Sequence, residues 1–217
     1  MSGKILIMTE GDSEDRTLKD FIKKWSDQCG IPNDVDVRYI VFDPHTGEDK
    51  AIQALTSFRN KIFKNRYDSS RYNKIILLLD FEQRDLNDMG VLKDKLCISL
   101  GRVYPGIECT TVFKVRAFEN WLIADPEELL KLNRFSRLSQ AQKRATVTSS
   151  GADRQDGLNV LKQASSGKYH KISDSNDIMN KIRATELEKN SRSFRKLLAE
   201  VGVVRYLKGS CTYVAFA

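Results

Sequence analysis

The sequence predicts an α/β protein, with a mostly parallel four-stranded sheet flanked by helices and a helical, basic C-terminal extension. Three observations predict it. Ile5-Leu6-Ile7-Met8 and Ile75-Ile76-Leu77-Leu78-Leu79 are unbroken apolar runs of strand length, as expected of strands buried on both faces. Strand-like and helix-like segments alternate four times, with the crossover lengths a parallel sheet needs. The charge then divides unevenly: Met1 to Glu119 carries 19 basic and 19 acidic residues, while Asn120 to Ala217 carries 17 basic and 10 acidic.

The first strand runs into Glu10-Gly11-Asp12-Ser13-Glu14. Gly11 permits a tight turn, and Asp12 or Ser13 can cap a helix with the stripe Leu18, Phe21, Ile22 and Trp25. Val35 to Phe42 alternates as a second strand, and Asp43-Pro44-His45-Thr46-Gly47 reads as a loop. Ile52, Leu55, Phe58 and Ile62 mark a second helix, with Lys61, Lys64 and Arg66 near its end. The third strand, from Lys74 to Leu79, ends in Asp80-Phe81-Glu82, and a helix follows from about Leu86 to Leu100. Cys109 to Val115 is a β-branched fourth strand.

Phe118, Trp121 and Leu122 open the next helix. Asp125-Pro126-Glu127-Glu128 is a helix restart, with Asp125 read as an N-cap rather than a catalyst. Ser149-Ser150-Gly151 and Ser165-Ser166-Gly167 are loop signals. Phe194, Leu197, Leu198 and Val201 form a last helical stripe ending near Gly202, and Val203 to Phe216 reads as a hairpin. The division expected is a core over residues 1–125 and a helical basic extension over 126–217, packed on that core.

Composition narrows the function. With 41% apolar residues the chain can bury a core, and no apolar run approaches the roughly 18 residues of a membrane span. The N-terminal run is too short for a signal peptide. Four scattered cysteines without a CxxC pair suit a reducing, cytoplasmic setting, and two histidines disfavour a histidine-rich zinc site. The net charge of +7, concentrated in the C-terminal part, suits a polyanion held beside a cluster of acids; a basic surface kept for solubility is the alternative.

Three segments deliver acids to strand ends or helix starts: Glu10 with Glu14, Asp80 with Glu82, and Glu119. Two like charges about 4 Å apart repel by about 4 kcal/mol near a protein surface, so convergence favours a bound cation. Hard carboxylate oxygens suit Mg²⁺ or Mn²⁺, as one or two ions. Each acid also has a simpler role as a helix cap or surface group.

Glu10-Gly11 after one apolar strand, and Asp80-Phe81-Glu82 after another, resemble the Toprim domain of topoisomerases, primases and related nucleases. The resemblance implies a Toprim-like (Rossmann-like) core in which the first glutamate and a DxD-type motif bind divalent metal. Glu82 stands where a second aspartate is usual, which keeps the charge and lengthens the reach. More narrowly, Glu119-Asn120-Trp121-Leu122-Ile123-Ala124-Asp125 and Lys168-Tyr169-His170-Lys171 resemble a Toprim-like family of unknown function, often encoded beside ABC-type ATPases in prokaryotic defence loci. The layout is also similar to that of the overcoming-lysogenization-defect nucleases. By that similarity Glu10, Glu14, Asp80, Glu82 and Glu119 are metal ligands, and Lys171 stabilises charge on the phosphate in the transition state.

The function these readings imply is an Mg²⁺- or Mn²⁺-dependent nuclease in phage or plasmid defence. Water attacks phosphorus in line, Glu10 or Glu14 takes its proton, and Lys168, Lys171, Arg192 and Arg195 hold the nucleic-acid backbone. The alternative is a non-catalytic Toprim module that docks on an ATPase and nucleic acid. A phosphate-receiving regulator using Asp80 is disfavoured, because Glu10 stands alone at its strand end and no lysine stands out at the fourth strand.

Overall fold

The structure is a computed structural model that describes residues 4–29, 31, 34–43, 48–81 and 88–203. The loop around His45, Glu82 and the expected hairpin beyond Val203 lie outside the described residues, as do the side chains of Asp12, Ser13 and Trp25. Four strands, β1 (Lys4–Thr9), β2 (Asp34–Tyr39), β3 (Lys74–Phe81) and β4 (Glu108–Val115), form one sheet in the order β2-β1-β3-β4. Every pairing is parallel, so the expected fold class is found, Rossmann-like in arrangement. From β1 the chain winds outward to β2, then returns past β1 to β3. The order therefore reverses between β1 and β3, the place where open α/β sheets leave a crevice beyond their carboxyl ends.

Alternation along the strands fixes two core layers. Ile5, Ile7, Val37, Ile76, Leu78 and Val112 face α1 (Asp12–Cys29), which presents Leu18, Phe21 and Ile22. The opposite residues, among them Leu6, Met8, Leu77 and Phe113, face α2 (Glu48–Ile62) and α3 (Asp88–Val103). The remaining helices are α4 (Glu119–Leu122), α5 (Pro126–Lys131), α6 (Gln140–Thr146), α7 (Gly151–Arg154), α8 (Gly157–Ala164), α9 (Lys171–Lys181), α10 (Ala184–Asn190) and α11 (Arg192–Glu200). Their apolar residues, including Trp121, Leu161, Ile178 and Leu198, join the α1 layer in one continuous core. Phe194, Leu197 and Leu198 of α11 are each 2% exposed, and full burial of such side chains contributes about 1.5–3 kcal/mol apiece.

The second strand is shorter than its alternation suggests. Among the described residues it pairs with β1 alone, and the last partners are Thr9 and Tyr39; the amide of Ile40 still donates to the carbonyl of Thr9 at 2.8 Å. Ile40 and Phe42 stay buried and Val41 exposed, so the strand-like pattern continues past the last available backbone partner.

Candidate active site

The carboxyl ends of β1, β3 and β4 bring a charged group together on the α1 face. Thr9 has the same parity as Ile5 and Ile7, Asp80 the same as Ile76 and Leu78, and Lys114 the same as Val112. Asp80 and Lys114 are register partners on adjacent strands, and Lys114 Nζ lies 2.9 Å from Asp80 Oδ1. Glu14, in the first turn of α1, closes over them. Its Oε2 accepts hydrogen bonds from Thr9 Oγ1 and Lys114 Nζ. Gly11 makes room for this: a Cβ there would stand 2.9 Å from both the Glu14 carboxyl carbon and Oε1. Glu10 stands at the end of β1 and is tied to β3, since the Asp80 amide donates to Glu10 Oε1 at 2.6 Å.

The site is a layered ion cluster. Glu14 and Lys114 are 1% and 0% exposed, while Glu10 and Asp80 are partly exposed above them. Burial raises the Glu10 pKa from 4.5 to about 7; Asp80 adds to the rise, while the Asp80 amide and Lys114 oppose it. Burial also raises Glu14, against the pull of Lys114. For Lys114, burial works against the charge, but Asp80 and Glu14 more than offset it, so the ammonium holds its proton above the ordinary lysine range. Glu14 Oε1 is buried without a hydrogen-bond partner, and Asp80 Oδ1 has only its ion pair with the lysine. An unpaired buried carboxylate oxygen is costly, which makes it a place for a cation.

The other residues expected at the site are placed differently. Glu119 begins α4, is 3% exposed, and pairs with Lys171 Nζ at 3.4 Å. Phe118, just before it, has its ring centre 5.7 Å from Lys114 Nζ, so this second pair follows directly on a residue that packs against the cluster. Lys168 and Arg192 are exposed. Arg195 is used within the fold, donating to the carbonyls of Glu188 and Lys189. His170 is exposed, and its backbone amide donates to Asp174. Asp125 is the N-cap of α5, as its Asp-Pro sequence suggests, and it also takes two side-chain hydrogen bonds from Arg183, each at 2.8 Å.

Lys114 is the residue that sequence reasoning missed. The expectation that no lysine marks the fourth strand is corrected: one does, and it is fully buried. Its signal was its position two residues after Val112, on the core-facing parity of β4. Glu10 is the acid at the end of its strand, and Glu14, as expected, points back from the first turn of α1.

Oxygen donors from Glu10, Asp80 and Glu14 are the chemistry that Mg²⁺ or Mn²⁺ takes, and the unpartnered Glu14 Oε1 fits a further cation. Among the described residues, no group of three or more His, Cys, Asp or Glu side chains is arranged to hold a metal ion by itself. Glu10 and Asp80 would suit only an ion that takes one or two protein carboxylates and completes its shell from solvent or phosphate, as Mg²⁺ commonly does.

Fold and site together define a doubly wound α/β protein with an acidic crevice, backed by a buried lysine, at the switch point of its sheet. The chain belongs to DUF4276, a domain of unknown function, which matches residues 9–202. No curated protein and no solved structure matches it.

Proposed function

We propose that the protein is a divalent-metal-dependent nuclease that hydrolyses phosphodiester bonds in DNA or RNA. One observation carries the reading: Glu10 and Asp80, from two separate strand ends, are joined at the switch point through the Asp80 amide, over the buried ion pair of Glu14 and Lys114. Glu10 and Asp80 would hold the ion, with Glu14 Oε1 beneath them. When bound, such an ion polarises phosphate and activates water.

The chain's own residues support the rest of the chemistry. Without an ion, burial raises the Glu10 pKa to about 7, so a proton competes for its carboxylate around neutral pH. The Asp80 amide fixes the Glu10 carboxylate through Oε1 and leaves Oε2 for that proton or for an ion. Lys114 and Thr9 fix Glu14, so the floor keeps its shape when substrate arrives. Lys171, half exposed beside Glu119, is a cation able to reach a phosphate.

A cleft of about 350 Å³ along the β2 edge suits the polyanion. Arg38, Lys61 and Arg71 line it, with the exposed Tyr39 for base stacking; Asp15 is its one acid among the described residues. Tyr39 is the register partner of Thr9, so the cleft begins one strand away from the acidic crevice.

The test is cleavage of labelled DNA and RNA with Mn²⁺ or Mg²⁺. Wild type should cut, and Glu10→Gln and Asp80→Asn should each lose about 100-fold or more while still folding. Equal cutting by all three would reject the reading. The family resemblance extends the proposal to a cytoplasmic role in phage or plasmid defence beside an ABC-type ATPase. Among the described residues no helix is long and apolar enough to cross a membrane.

A further inference from the structure

We propose that Lys114 is a built-in counter-cation that restricts the crevice to a single divalent ion; the inference rests on the metal-site reading above. Three features carry it. The first is place. Lys114 is 0% exposed and sits between two carboxylates, touching Glu14 Oε2 and Asp80 Oδ1. It is held from three sides: by the backbone pairing of β4 with β3, by the two carboxylates, and by the Phe118 ring. A strand residue so enclosed cannot swing out when an ion arrives.

The second feature is charge. With an ion bound and all three carboxylates ionised, Glu10, Glu14 and Asp80 contribute three negative charges and Lys114 one positive. One divalent ion neutralises that sum. A second would leave a positive excess in a largely buried site, which low-dielectric surroundings penalise strongly.

The third feature is the supply of oxygens. Two catalytic ions about 3.5–4 Å apart need carboxylates shared between them. The atoms best placed to be shared, Asp80 Oδ1 and Glu14 Oε2, face the lysine instead. Among the described residues, what remains is Glu14 Oε1, without a hydrogen bond, and the second oxygens of Glu10 and Asp80. From that set one ion would take one or two carboxylates and complete its shell with waters, and the compact ammonium of lysine supplies the other positive charge.

The test is Mn²⁺ stoichiometry, read from the loss of the free-ion electron paramagnetic resonance signal, with wild type and Lys114→Met. Wild type should bind one ion and Lys114→Met two, because the substitution frees both oxygens and cuts the positive excess that a second ion leaves from two charges to one. Two ions in wild type would overturn the inference and leave the metal reading standing. No ion in wild type would overturn both. A Lys114→Met protein that binds only one ion would show that the lysine does not set the number. Should Lys114→Met be unfolded without metal, Mn²⁺ should restore its circular dichroism spectrum. Failure to restore it at any Mn²⁺ concentration that saturates wild type would also count against the inference.

Discussion

Replacing Glu10 with glutamine should stabilise the metal-free protein at alkaline pH while removing its proposed role. Glu10 has a folded pKa of about 7, against an ordinary value of 4.5. Between those values the folded state holds a proton that the unfolded chain has released. Stability therefore falls as pH rises through that window, and the whole cost is present above it. A difference of that size corresponds to at most about 3 kcal/mol, and about 2 kcal/mol after allowance for the solvent that reaches this partly exposed group. Glutamine keeps a carbonyl oxygen to accept the Asp80 amide and never ionises. In EDTA, Glu10→Gln should match wild type near pH 4.5 and exceed it by about 2 kcal/mol at pH 8. For a chain of this size that is a rise of about 4–8 °C in melting temperature. Urea unfolding at several pH values is the assay. A difference that does not grow between pH 5 and 8, or a less stable variant at pH 8, would refute the electrostatic account of the crevice.

Gly11→Ala should push the Glu14 carboxylate off Lys114 and Thr9, because the new Cβ would meet it at 2.9 Å; a loss of about 1–3 kcal/mol in thermal unfolding and weaker Mn²⁺ binding are expected, and unchanged values would show that Glu14 yields freely. Arg183→Met should cost about 1–3 kcal/mol, because it removes two charge-assisted hydrogen bonds from the 0%-exposed Asp125 and leaves it only backbone donors, yet it should leave Mn²⁺ affinity unchanged; parallel melts and titrations separate the two effects. Nucleic-acid binding should fall steeply with salt, and Lys61→Ala or Arg71→Ala should each reduce the slope of log affinity against log salt by about 1, as fluorescence anisotropy would show; an unchanged slope would remove the β2-edge cleft from the binding surface.

Much of the framework was legible in local sequence. Ile75 to Leu79 can only be a strand buried on both faces, and the residues after it, like those after Ile5 to Met8, fall at the carboxyl edge. Strand ends alone thus place Glu10 and Asp80 near one another. Lys114 was legible only in its parity with Val112, because a lysine in a β-branched strand reads equally as an exposed edge residue. Only the pairing of β4 with β3, and the return of Glu14 from α1, make it internal. In the Glu119 to Asp125 stretch, too, distant partners set local roles: Asn120 donates to the carbonyls of Ala152 and Gln155, and the Trp121 indole to Ser193. Those partners come from helices more than thirty residues away, beyond the reach of local pattern. Arg183 and Asp125, 58 residues apart, are hidden from sequence in the same way.

The most direct measurement is a calorimetric titration of Mn²⁺ into wild type at pH 6 and pH 8, and into Glu10→Gln at pH 8. Wild type should bind at both, about tenfold more tightly at pH 8, because the ion competes with one proton on a group of pKa near 7. Glu10→Gln, still folded, should bind far more weakly or not at all. Absence of binding in wild type, or equal binding by wild type and Glu10→Gln, would contradict the assignment of Glu10 and Asp80 as a metal site.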